Sequence, residues 1–185
     1  MSRIQQWQPF FIISIALCIG TLGTALPSPL YPIYQQLWGL MPSDITVVFV
    51  AYMFGCLATI LFLGRTSNTI GFLKTLQISL FFSIIGLMLS ALAPNVMWLG
   101  VGRFIIGISS GLITTAAVLG LMAVIPESHK GSAPQFSSIV TVIGFSLGPI
   151  TGGVFGQFSA YPLIMPYLFI LIIAILSFSS LFLIQ

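Results

Sequence analysis

Gly144-Phe145-Ser146-Leu147-Gly148-Pro149-Ile150-Thr151-Gly152-Gly153 is the stretch on which the reading of this chain turns. Glycine recurs four apart from Gly144 through Gly148 and Gly152 to Gly156. In a helix these positions share one flank and leave a groove without side chains. Pro149 removes the bond to the Phe145 carbonyl and loosens that helix at its middle. Each glycine costs a helix about 0.5–1 kcal/mol relative to alanine, so the segment needs a second helix to fill its groove. A bilayer suits it, because there neighbouring helices fill such grooves and re-satisfy freed backbone groups. The surroundings agree: no charged residue occurs from Gly131 to Gln185.

The rest of the chain has the same character. Of its 185 residues, 58% are hydrophobic and 4% charged, against about 25% charged in a soluble domain. So few charges cannot coat a water-facing surface, and the chain reads as an all-α integral membrane protein. The net charge of +3 comes from basic residues spread along the chain, which gives no basic patch for nucleic acid. Cys18 and Cys56 fall inside apolar runs and read as small packing residues rather than a disulfide or a metal pair. With one histidine and no Cys/His cluster, no cofactor is expected. Arg3 followed by an apolar run imitates a signal peptide, but that run has no clear small-residue cleavage site before Pro27, and it reads as an uncleaved first span.

A hydrocarbon core of about 30 Å takes about 20 apolar residues of helix. Six runs qualify: Phe10–Leu30, Ile45–Leu63, Phe72–Ala93, Val96–Val124, Gln135–Gln157 and Pro162–Ile184. They form one six-helix unit that divides as three plus three, residues 10–93 and 96–184, with opposite orientations. Arg3, Arg65, Lys74 and Lys130 fall on one side, while the loops of the other side carry no Lys or Arg. That asymmetry places the N-terminus and the even-numbered exits, hence the C-terminus too, in the cytoplasm. Trp7, Trp38 and Trp98 fall at the expected interfaces, where amphipathic rings are enriched. Asp44, after Ser43 on the outer side, reads as the N-cap of span two.

Small and polar residues pick out faces. Arg103, Gly107, Ser110 and Thr114 share one face of span four; Ser137, Thr141, Gly144, Gly148 and Gly152 share one of span five; Ser14, Cys18, Thr21 and Ala25 share one of span one. Any one stripe is explained as well by close helix packing as by a cavity. Together they mark these three spans as cavity-lining or tightly packed. Span three carries a narrower strip, Ser79, Ser83, Gly86 and Ser90, and span six is mostly large and apolar and reads as lipid-facing. Arg103 is the one charge deep in a span, where arginine costs about 2.5–3.5 kcal/mol at a helix centre. It either snorkels about 10 Å back to the outer end of its helix or serves a polar path.

The pattern G-x-x-x-G-P-x-x-G-G resembles the fifth-helix motif of drug/proton antiporters of the major facilitator superfamily. Val101-Gly102-Arg103-Phe104-Ile105-Ile106-Gly107 is similar to the fourth-helix motif, whose arginine is implicated in proton coupling. Gly64-Arg65-Thr66-Ser67-Asn68-Thr69-Ile70-Gly71-Phe72-Leu73-Lys74 looks like the cytoplasmic signature loop G-x-x-x-D-R-x-G-R-[RK]-[RK], a latch governing closure of one face. Gly64, Gly71 and Lys74 match it, and Asn68 replaces the acid, which leaves a hydrogen-bonded latch or a plain tight turn between glycines. The resemblance implies half of a two-half fold, built as two inverted three-helix repeats. It further implies a secondary transporter of the bacterial inner membrane, working by alternating access on a small-molecule substrate with the proton as coupling ion. Its partner would be a second six-helix half, against which Gly148, Pro149, Gly152 and Gly153 would form the moving seam; in a half alone that groove would face lipid. No span contains Asp or Glu, which is the main departure from a proton antiporter. The alternative is a non-transporting six-helix scaffold, a partner subunit or a truncated remnant. Gly144-x-Ser146-x-Gly148 also spells the hydrolase pattern G-x-S-x-G, but that chemistry needs a strand-turn-helix and a nearby base. With Ser146 mid-span and His129 in a loop, no enzyme is expected.

Overall fold

The structure, a computed structural model, describes residues 3–184, excluding the side chains of residues 3–6, 127, 128 and 130. Arg3 and Lys130, used above for orientation, thus lie outside the described side chains. Helix α1 (Arg3–Ala25) passes through a 3-10 turn (Ser28–Leu30) into α2 (Tyr31–Trp38). Then follow α3 (Pro42–Ala58) with a π-helical turn (Thr59–Leu63), α4 (Thr66–Ile70), α5 (Phe72–Ala91) and α6 (Val96–Val124). A 3-10 segment (Glu127–Ser132) leads to α7 (Ala133–Phe158), and α8 (Met165–Ser180) closes the unit. Among the described residues, six helical stretches are long and apolar enough to cross a membrane: Trp7–Trp38, Pro42–Leu63, Phe72–Ala91, Val96–Val124, Ala133–Phe158 and Met165–Leu183.

Three local expectations need correction. Tyr31–Trp38, read as loop, is helical because Pro32 sits in the first turn of α2, where a missing N–H is harmless. Gly64–Gly71 is not a bare turn: it encloses the five-residue helix α4. Asp44 is not the N-cap of span two; α3 starts earlier, Met41 is the cap residue, and the Asp44 carboxylate accepts the Met41 N–H at 2.8 Å from the third helical position.

The first and fourth spans, α1 and α6, are the most buried and form the centre of the bundle. Helix α3 packs on α6 and α7 packs on α1, while α5 and α8 pack on each other and cover α6 and α1 from behind. Spans two and five are the least buried. One apolar cluster joins Ile13, Leu17, Leu76, Leu80, Ile113 and Leu121 toward the N-terminal end of α1. A second joins Leu26, Leu30, Leu87, Leu99, Ile106 and Ile170 toward the other end. The strip on span three is packing: a Cβ on Gly86 would stand 2.9 Å from the Gly102 carbonyl, and Ser109 donates to the Ser79 carbonyl at 2.7 Å. Span six is only partly the lipid-facing helix expected, since Tyr167, Ile170, Ala174 and Ser177 are buried on one face of α8.

Gly71 opens α5 with φ 91° and ψ 151°, a region open to glycine almost alone. Gly71→Ala is expected to destabilise the protein by about 1–3 kcal/mol although nothing lies near its Cβ position. A melt of the purified variant checks this, and an unchanged midpoint would contradict it.

Candidate functional site

The buried polar centre begins where α1 ends. Gly23 and Ala25 lie four residues before Pro27 and Pro29, which have no N–H to offer them. The Thr24 carbonyl between them accepts a hydrogen bond from Arg103 Nη2 at 2.7 Å. A cation therefore sits at a helix C-terminus, the end where backbone carbonyls carry partial negative charge. Arg103 is 2% exposed, which removes snorkelling: the guanidinium points across the bundle to α1, not back along α6 to the interface.

The Arg103 Cζ lies 5.2 Å from the centroid of the Tyr52 ring on α3, within reach of a cation–π attraction. The Tyr52 hydroxyl pairs with Ser110 Oγ at 3.3 Å and has Thr24 and Cys56 as further neighbours. Tyr34 and Tyr167 meet hydroxyl to hydroxyl at 3.4 Å in the adjoining cluster. Arg103 is left with two buried donors, Nε and Nη1, that find no acceptor among the described residues. A buried charge-bearing donor without a partner is costly, and no carboxylate of a described span answers it.

The expected stripe on span four thus splits by role. Arg103 and Ser110 join the polar centre. Gly107 is a contact residue, since a Cβ there would strike the Tyr52 carbonyl and stand 2.9 Å from Cys56 N. Thr114 lines a groove of about 430 Å3 with Val118, Pro134, Ser137, Ser138 and Thr141. Thr114, Ser138 and Thr141 each donate to a carbonyl of their own helix, at 2.9, 2.9 and 2.8 Å. What they turn to the groove is therefore acceptor lone pairs.

The groove of span five is filled from within. Gly144 lies on Thr21 and the Cys18 carbonyl, Gly148 on Leu22, Ala25 and Leu26, and Gly152 on Leu26 and Pro29. The expectation that this flank faces a second half, or lipid in a half alone, is corrected: α1 of the same chain occupies it. Periodicity exposes the groove but does not say which helix enters it. Gly153 stands apart, its nearest neighbour Pro29 Cβ at 3.9 Å. Helix α7 runs on through Pro149. Ser146 is mid-helix and donates to the Val142 carbonyl at 2.8 Å, so the strand-turn-helix elbow of a hydrolase is not formed there.

In the signature loop Gly64 follows the π-helical turn, with its Cβ position against the Ile60 carbonyl. Asn68 and Lys74 are exposed, and the Asn68 side chain meets no hydrogen-bonding partner among the described residues. Thr24, Tyr52, Tyr34 and Tyr167 were not singled out from sequence. Tyr52 carried a signal, as a hydroxyl midway along an otherwise apolar run.

Six membrane-length helices with an arginine buried between the first and fourth define a membrane-embedded helical unit with a polar centre. The profile of the Major Facilitator Superfamily matches residues 13–185, and the chain belongs to that family. It is 27% identical over 159 residues to the riboflavin transporter RibZ of Clostridioides difficile (strain 630), covering 85% of this chain and 35% of that protein. It is 29% identical over 170 residues to the quinolone resistance protein NorA of Staphylococcus aureus (strain Mu50 / ATCC 700699), covering 91% of this chain and 42% of that protein. The chain therefore spans less than half the length of these curated relatives.

Proposed function

We propose that this chain is one six-helix half of a secondary transporter that exports small amphipathic solutes in exchange for protons by alternating access. The observation that carries the reading is Arg103, buried at 2% exposure with one donor on α1 and two unclaimed. Charges inside spans are kept for pathways and relays. In the proposal Arg103, Ser110 and Thr114 edge the solute and proton path, and Gly107 sets the α3–α6 spacing. The hydroxyl groove favours solutes that present N–H or O–H donors.

The packing supports a division into inverted repeats, residues 10–93 and 96–184. Exchanging the triplets maps the pairing of spans one and five onto that of four and two, and leaves the pairs three–six and one–four in place. The poorly buried apolar flanks of α3 and α7, with Met53, Leu57, Val142 and Ile150 exposed, are the surfaces proposed to meet a second six-helix unit. That unit would supply the acid the spans lack. The loop with Gly64, Asn68, Gly71 and Lys74 is proposed to latch the cytoplasmic face by hydrogen bonds. The side with Arg65 and Lys74 is taken as cytoplasmic in a bacterial inner membrane.

Proteoliposomes holding the protein and a trapped pH-sensitive dye test this under an imposed pH gradient, with riboflavin and a quinolone as probes drawn from the named relatives. Solute-dependent acceleration of proton release is expected. No acceleration by either probe from inserted, folded protein would favour the scaffold or subunit reading.

A further inference from the structure

A groove of about 600 Å3 runs between the N-terminal parts of α3 and α6. It lies on the flank away from the polar centre: Tyr52 turns to Arg103, whereas Val47, Ala51 and Phe54 line the groove with Met97, Val101 and Phe104. Val47, Phe54 and Met97 are largely exposed, so it opens sideways, across the helix axes. Its lining is apolar apart from one group, Asp44, at its mouth. From Asp44 to Phe54 is ten helical residues, about 15 Å, which is one leaflet of a core about 30 Å thick. Trp98, half exposed in the first turn of α6, marks the same end as the interface.

We propose that this groove holds a phospholipid whose headgroup ends in a primary ammonium. One acyl chain lies between α3 and α6 through the leaflet on the Asp44 side, and the ammonium meets Asp44. One Asp44 oxygen is taken by the Met41 N–H, which leaves the other for the headgroup. The loops on that side carry no Lys or Arg, so no basic loop residue there competes for the carboxylate, which repels an anionic headgroup. A groove one leaflet deep that opens sideways fits an anchored lipid better than a solute arriving from water.

Two substitutions separate the parts. Gly100 lines the groove, and nothing lies within 4 Å of its Cβ position, so Gly100→Leu fills the space without a clash and in a better helix former. Asp44→Asn removes the charge and keeps an acceptor for the Met41 N–H. The purified protein is melted in detergent with added phosphatidylethanolamine, phosphatidylcholine or phosphatidylglycerol of matched chains. For the native sequence we expect affinity for phosphatidylethanolamine about two- to five-fold above phosphatidylcholine, the size of an exposed ion pair, and phosphatidylglycerol weakest. Asp44→Asn keeps lipid stabilisation and loses the preference; Gly100→Leu loses both. Equal response to all three lipids, or an unchanged preference in either variant, overturns the proposal. Stabilisation by tetraphenylphosphonium but not by phosphatidylethanolamine would give the groove to a free cation. Weaker association with a second helical unit in Gly100→Leu, at unchanged lipid preference, would give it to a protein partner. Either result also overturns the proposal.

Discussion

Gly148→Leu is expected to lower stability by about 3 kcal/mol or more, the upper end of core overpacking, which is roughly 6–12 °C at this chain length. A bare Cβ at Gly148 would stand 2.7 Å from the Leu22 carbonyl oxygen, 2.9 Å from Ala25 Cβ and 3.0 Å from Leu26 N. Two of those three are backbone atoms and cannot turn aside, so α7 must lift off α1. Insertion into the membrane should persist, since leucine is more apolar than glycine. The same motif supplies the control. Gly153→Ala meets only Pro29 Cβ at 3.9 Å and is expected to stay within about 0.5 kcal/mol of the native protein. Melting midpoints of both in detergent check the pair. Equal midpoints would mean that α1 does not fill the groove of α7.

Substitution of Arg103 is expected to remove transport while moving stability little. Leucine relieves about 2.5–3.5 kcal/mol of burying a charge in a span. Against this it forfeits about 1.5–3 kcal/mol for a charged hydrogen bond to Thr24 and about 0.5–2 kcal/mol for the cation–π contact with Tyr52. It also forfeits about 0.3–2 kcal/mol for a cation at a helix C-terminus. These oppose one another at similar size, so stability alone does not account for an arginine at this place. Arg103→Lys sharpens the test: it retains the charge near the end of α1 and gives up the planar fork that carries Nε and Nη1. If those donors serve the moving solute or the missing acid, each contributes about 1.5–3 kcal/mol, which is about ten-fold or more in flux.

Composition made the membrane class legible, and run length made the six spans legible to within a few residues, except that the first runs on to Trp38 rather than ending at Leu30. Glycine spacing showed that α7 carries a groove; nothing in the spacing of 144, 148 and 152 could name α1 as its occupant, because the partner is a property of packing. Likewise the sequence marked Arg103 as an intramembrane charge but not its acceptor, a main-chain carbonyl in the last turn of α1. Tyr52 went unread because span two shows no polar stripe, and a lone tyrosine in an apolar run is ordinary at helix surfaces. Helix α2 went unread because it lies past the apolar run that ends at Leu30, and Pro32 in its first turn does not break it.

The most direct measurement compares solute-driven proton release in proteoliposomes for native protein and Arg103→Lys at matched insertion, beside their melting midpoints. Midpoints within a few degrees of each other are expected, with release at least about ten-fold slower in the variant. Native-rate release from Arg103→Lys would contradict this, leaving Arg103 as a helix cap and nothing more.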